Sequence, residues 1–157
     1  MSKFIILDDV FDEPTVKTIA DFDYGDGERW FGLGANPVHE KIIDLCRPHF
    51  DLEHVVGYEM WSNTSNPEWH VDCDERLRLE EKRYVFPQCS AVYYARVENL
   101  NGGVFFTDDA RVFAKTNRLI MFSPGLFHGV SVYTGTRIAV SIAPWNMRIY
   151  PRGEVIA

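Results

Sequence analysis

The spacing of apolar positions changes its period about one third of the way along the chain. In the first third it is helical. Asp12 can cap a helix with Pro14 in its first turn and Val16, Ile19 and Ala20 on one face. Asn36 precedes Pro37, and Val38, Ile42, Leu45 and Cys46 then recur at helical spacing until Pro48 stops a second helix. From about His54 the apolar residues come in short runs rich in Val, Tyr, Phe, Ile and Thr, broken by Gly, Asn, Asp and Pro. These runs predict strands near 54–61, 88–97, 103–107, 111–114, 117–123, 128–133 and 136–144, with Asn101-Gly102-Gly103 and Thr134-Gly135 as turns. Many short strands behind a helical start predict a mainly β fold with N-terminal helices, a double-stranded β-helix of the jelly-roll or cupin-like kind. No internal repeat or linker-like stretch divides the chain. It is therefore expected to form a single domain over 1–157, with 1–53 as helical support and 54–146 as the barrel core.

Composition narrows the function. At 157 residues with 46% hydrophobic residues, the chain is long enough to bury a core without disulfides or a structural metal. Its 16 Lys and Arg against 23 Asp and Glu give a formal net charge of −7, which argues against binding driven by phosphate neutralisation. Cys46, Cys73 and Cys89 are odd in number, widely spaced and form no Cys-x-x-Cys pair, so reduced thiols are expected. The apolar run within Met1–Asp8 is too short for a secretory signal, and no stretch reaches membrane-spanning length, so the expected location is the cytoplasm.

The candidate chemistry lies in the β half. In Trp69-His70-Val71-Asp72 a step of two places His70 and Asp72 on one face of an extended backbone. His128, in Gly125-Leu126-Phe127-His128-Gly129, is the expected third ligand. Two imidazoles and one carboxylate on one face of an octahedron leave three positions open, the arrangement used by non-haem iron(II) that must bind a co-substrate and oxygen together. His39, His49 and His54 have no acidic partner at matching spacing and read as structural.

Arg137 follows in a strand where alternation sets it in phase with Ala139 and Ser141. A guanidinium in an apolar β run needs an anion, and its planar fork matches a carboxylate through two parallel hydrogen bonds. An Arg on the solvent face, paired with Asp or Glu, would fit the same letters.

In this order the residues resemble the Fe(II)/2-oxoglutarate oxygenase superfamily, in its prolyl 4-hydroxylase-like branch. The resemblance covers about 54–146. It rests on His70-Val71-Asp72, Val92-Tyr93-Tyr94-Ala95, Gly102-Gly103-Val104-Phe105-Phe106, Arg118-Leu119-Ile120-Met121-Phe122, His128 and Arg137. It implies metal ligands His70, Asp72 and His128, with 2-oxoglutarate held by Arg137 and Tyr94. It further implies turnover of 2-oxoglutarate and O2 to succinate and CO2, coupled to hydroxylation of a second substrate, peptidyl proline or a small molecule.

Alternation then turns Ser90 and Val92 inward with Tyr94, and Tyr93 to the other side. Tyr58 and Met60 are lesser candidates for the pocket wall, with core packing as their expected role. The segment 62–68 and the charged stretch 73–84 are expected to form the rim, the latter as a solvated helix or a lid, with Trp61, Trp69 and Arg96 within reach of the mouth and core or rim packing the expected role of both tryptophans. Ala139 stands where relatives carry a Ser after the anchoring Arg, leaving the distal carboxylate's second partner unassigned. A cupin-type metal dioxygenase or isomerase that does not use 2-oxoglutarate, and a non-catalytic metal- or carboxylate-binding barrel, are the alternative readings.

Overall fold

A computed structural model describes residues 3–63 and 69–151. The elements are β1 (Phe4–Asp8), α1 (Glu13–Asp21), β2 (Arg29–Gly32), α2 (Glu40–Cys46), β3 (Gly57–Asn63), α3 (Glu75–Glu81), β4 (Ser90–Gly102), β5 (Phe105–Phe106), β6 (Arg111–Val112), β7 (Arg118–Phe122), β8 (Gly129–Val130) and β9 (Tyr133–Trp145). Six strands form a major antiparallel sheet in the order β1-β7-β4-β9-β3-β2, and three form a minor sheet, β6-β5-β8. Among the described residues no helix is long and apolar enough to cross a membrane.

The major sheet is apolar on both faces, and period-two alternation sorts its residues between two cores. Tyr58 and Met60 of β3, Ala91, Tyr93 and Ala95 of β4, Leu119 and Met121 of β7, and Val140 and Ile142 of β9 pack with Ile19 of α1 and Ile42, Ile43 and Cys46 of α2. Val92, Tyr94, Ile120, Phe122 and Ala139 turn the other way and meet Phe105 and Val112 of the minor sheet. The two sheets thus face each other across a second core, while α1 and α2 cover the outer face of the larger one.

Asp12 caps α1 by accepting from the Thr15 amide at 3.0 Å, with Pro14 in the first turn as expected. The second helix begins three residues later than the Pro37 signal. Glu40 turns its carboxylate back to accept from the Gly34 and Asn36 amides, which closes the preceding loop before the helix starts.

Two expectations are corrected, and a third, the solvated helix in 73–84, is met. The N-terminal third is not helical support alone, because β1 and β2 are the two edge strands of the major sheet; their five- and four-residue lengths gave little periodic signal. Thr134-Gly135 is not a turn. It lies inside β9, where a register shift between Glu98 and Asn101 of β4 makes a bulge, and a Cβ on Gly135 (φ +103) would sit 2.2 Å from the Asn99 carbonyl oxygen. The charged stretch 73–84 contains α3, capped by Asp74 accepting from the Leu77 amide and ended by Lys82 in the left-handed region.

Asn117 ties the N-terminus to the sheets. At φ 67, its side-chain oxygen accepts from the Phe11 amide (3.1 Å) and the Tyr93 hydroxyl (2.8 Å), and its amide donates to the Phe11 carbonyl (2.8 Å). Asn117→Ala is expected to lower unfolding free energy by about 2–3 kcal/mol in urea titrations, because three polar groups lose their partner at once.

Glu59 is buried on the barrel side of β3 and accepts from the Trp145 indole at 3.2 Å. Burial, with the charges of Glu28, Asp72 and Asp74 added, pushes its carboxyl up to about 8 from 4.5, despite the opposing Trp145 hydrogen bond. The folded chain therefore keeps this proton where the unfolded chain has lost it, and stability falls as pH rises from 4.5 toward 8. Buried His39, lowered by desolvation from 6.5 to about 4, acts in the opposite sense and only below pH 6.5. Thermal melts from pH 6.5 to 9 should therefore show a steeper stability loss in the wild type than in Glu59→Gln, which keeps the acceptor for Trp145.

Candidate metal centre

Backbone pairing brings the two imidazoles together. His70 and His128 form an isolated antiparallel bridge, each amide donating to the other's carbonyl at 2.9 Å. Their rings lie 4.3 Å apart, centroid to centroid. Two residues beyond His70, the Asp72 carboxylate places Oδ1 3.2 Å from His70 Nε2 and 3.6 Å from His128 Nε2. One potential ligand atom from each of His70, Asp72 and His128 lies within 4.8 Å of the others, so the three converge as the sequence spacing anticipates.

The protonation states suit a cation. His128 Nδ1 lies 2.9 Å from the Leu126 carbonyl, which can only accept, so Nδ1 carries the proton and Nε2 presents its lone pair. Burial holds the His128 pKa below the usual range, outweighing the opposing pull of Asp72, so the imidazole is neutral. Phe105 stacks on this ring at 5.3 Å and Phe122 meets its face edge-on at 4.8 Å, which fixes its plane. For Asp72, burial would raise the pKa, but the hydrogen bond with His70, the electrostatic influence of the two imidazoles and the nearby Ser90 hydroxyl prevail and keep the carboxyl below its ordinary value.

A cavity opens beside the triad, lined by Trp61, Val92, Phe105, Val130, Arg137 and Ser141 together with the three ligand residues. Access is one-sided: the His70 side chain is 46% exposed, against 6% for His128 and 11% for Asp72. Arg137 is 5% exposed, and its guanidinium lies 5.5 Å from the ring centroids of both Tyr94 and Tyr133. The Tyr94 hydroxyl is fully buried near that guanidinium, with no hydrogen bond of good geometry among the described residues. Desolvation raises its pKa although Arg137 opposes the shift, so it remains a neutral donor.

The fit to an iron(II) and keto-diacid pair follows from these groups. Two imidazoles and one carboxylate form an open, oxygen- and nitrogen-donor set. The buried Arg137 guanidinium, among the residues lining the same cavity, suits a carboxylate there, with the buried Tyr94 hydroxyl near it.

Tyr94 and Val92 face the cavity side, and Tyr93 faces the helices, as alternation requires. Tyr58 and Met60 take the core packing expected of them rather than the pocket wall: they belong to the helix-side core, and the Tyr58 hydroxyl donates to Glu40 while accepting from Asn36. Their neighbours Glu59 and Trp61 take the inner face by alternation. Arg96 does not reach the mouth; it pairs with Asp21 of α1 on the helix side, past the register shift after Tyr94. Trp69 is 45% exposed and stacks on Phe106 and Phe127. The rim expected at 62–68 lies mostly outside the described residues.

Phe105, Val130 and Tyr133 were not singled out in the sequence. Phe105 was legible in principle, since the apolar pair after Gly102-Gly103 must send one ring inward.

No family model and no curated protein matches the chain. Among solved structures, it is similar to the viral collagen prolyl hydroxylase of Paramecium bursaria Chlorella virus-1, solved as its 2OG complex. The identity is 12% and the TM-score 0.59, over 90% of this chain and 94% of that one. With opposed antiparallel sheets, helices on one outer face and His70, Asp72 and His128 at the cavity mouth, the chain has the double-stranded β-helix fold of that hydroxylase.

Proposed function

We propose that this chain is an iron(II)- and 2-oxoglutarate-dependent oxygenase that hydroxylates a second substrate, with peptidyl proline as the favoured one. The observation that carries the reading is a single cavity holding the triad at its exposed end and the buried Arg137 among its lining residues. The fold likeness to a collagen prolyl hydroxylase supports the choice of substrate.

His70, Asp72 and His128 hold the metal and leave coordination positions for co-substrate and oxygen. Arg137 anchors the distal carboxylate of 2-oxoglutarate, and the Tyr94 hydroxyl donates to the same molecule. When bound, the iron supplies oxygen activation, coupled to oxidation of 2-oxoglutarate to succinate and CO2. The lining side chains Val92, Phe105 and Val130 keep bulk water from the reacting groups. The second substrate approaches over His70, the exposed ligand.

Anaerobic mixing of the protein with iron(II) and 2-oxoglutarate should give a weak visible charge-transfer band, and admitting oxygen should release succinate. His70→Ala should abolish both signals. Arg137→Ala should weaken 2-oxoglutarate binding by about 10- to 100-fold, the worth of a charge-assisted hydrogen-bonded pair, with metal affinity nearly unchanged. Metal binding without 2-oxoglutarate binding would favour a cupin-type enzyme, and equal 2-oxoglutarate affinity in wild type and Arg137→Ala would defeat the assigned anchor.

A further inference from the structure

The surroundings of Arg137 include a residue that the proposed activity leaves without a role. Tyr133 opens β9 four residues before Arg137, with its Cα opposite Gly102 of β4. The Arg137 guanidinium lies 5.5 Å from its ring centroid and an equal 5.5 Å from that of Tyr94. The two rings are not equivalent. Tyr94 is completely buried in the barrel core, whereas Tyr133 is half-buried and is the more exposed of the two rings.

The backbone is shaped for this contact. Gly103 has φ +66, and a Cβ there would lie 3.1 Å from Arg137 Cδ and 3.4 Å from Tyr133 Cβ, so the absent side chain leaves the room in which arginine and ring meet. The bulge at Gly135 lies between the two residues on the same strand.

Aromatic faces stabilise a desolvated cation without neutralising it. A carboxylate in the same place would compete with an incoming anionic ligand; a ring does not. We propose that Tyr133 is a positioning and specificity-determining residue for the co-substrate. It is the outer ring of a two-tyrosine clamp that holds the Arg137 guanidinium, shields it from water and makes the cavity select a keto diacid over a keto monoacid. The proposal rests on Arg137 being the anchor for the distal carboxylate of 2-oxoglutarate.

The test is calorimetric titration of the full chain, loaded with Mn(II), using 2-oxoglutarate and 2-oxobutyrate, which shares the keto-acid head and lacks the distal carboxylate. Wild type should prefer the diacid. Tyr133→Ala should lower that preference by about 3- to 30-fold, the range of a desolvated cation–ring contact, through loss of 2-oxoglutarate affinity alone. Tyr133→Phe should keep the preference, since the ring remains. Mn(II) affinity, measured in the same series, should be unchanged in both variants. An unaltered preference in Tyr133→Ala, equal weakening of both keto acids, or an equal loss in Tyr133→Phe would overturn the clamp. A wild type with no preference for the diacid would instead overturn the anchoring role of Arg137, and the clamp with it.

Discussion

The two reciprocal hydrogen bonds between the backbones of His70 and His128 are the constraint from which the candidate site follows. They join a segment that precedes α3 to one that leads into β8, across most of the β half of the chain. A bridge at that point fixes both Cβ directions, so two imidazoles meet without relying on side-chain flexibility. Asp72, two residues along, can then close the triad from the same segment. Loss of this register by one residue would turn both rings away from the cavity, which is why the interior core around Phe105 and Phe122 matters to the chemistry as well as to stability.

The major sheet does two jobs with one set of strands. Along β4, Tyr93 packs beneath the helices while Tyr94 faces the cavity, and along β9 the same split separates Val140 from Ala139. Such strands look uniformly apolar, and their function is carried by the few polar exceptions on the inner face, Ser90, Arg137 and Ser141. Each is costly to bury, so each needs a specific environment. For Arg137 that environment includes two aromatic rings; for the Asp72 carboxylate it is a pair of imidazoles.

What was legible in the chain follows the same physics. His70 and Asp72 were placed by the step of two, and Tyr94 and Arg137 by alternation, because inner and outer faces differ in chemistry there. β1 and β2 were not visible: short edge strands carry too few residues to display a period. The facing of Tyr58 and Met60 was left between pocket and core because Glu59, a residue type that normally faces water, is buried on the opposite side of β3, which removes the contrast that sets register. Gly135 read as a turn because a bulge demands the same positive φ as a tight loop.

The unequal exposure of the two imidazoles bears on how an ion reaches the site. His128 is sealed among Phe105, Phe122 and the Leu126 carbonyl, while His70 remains open to solvent. A metal held by the three side chains would be reached from the His70 side alone, so its exchange would leave the packing around His128 undisturbed.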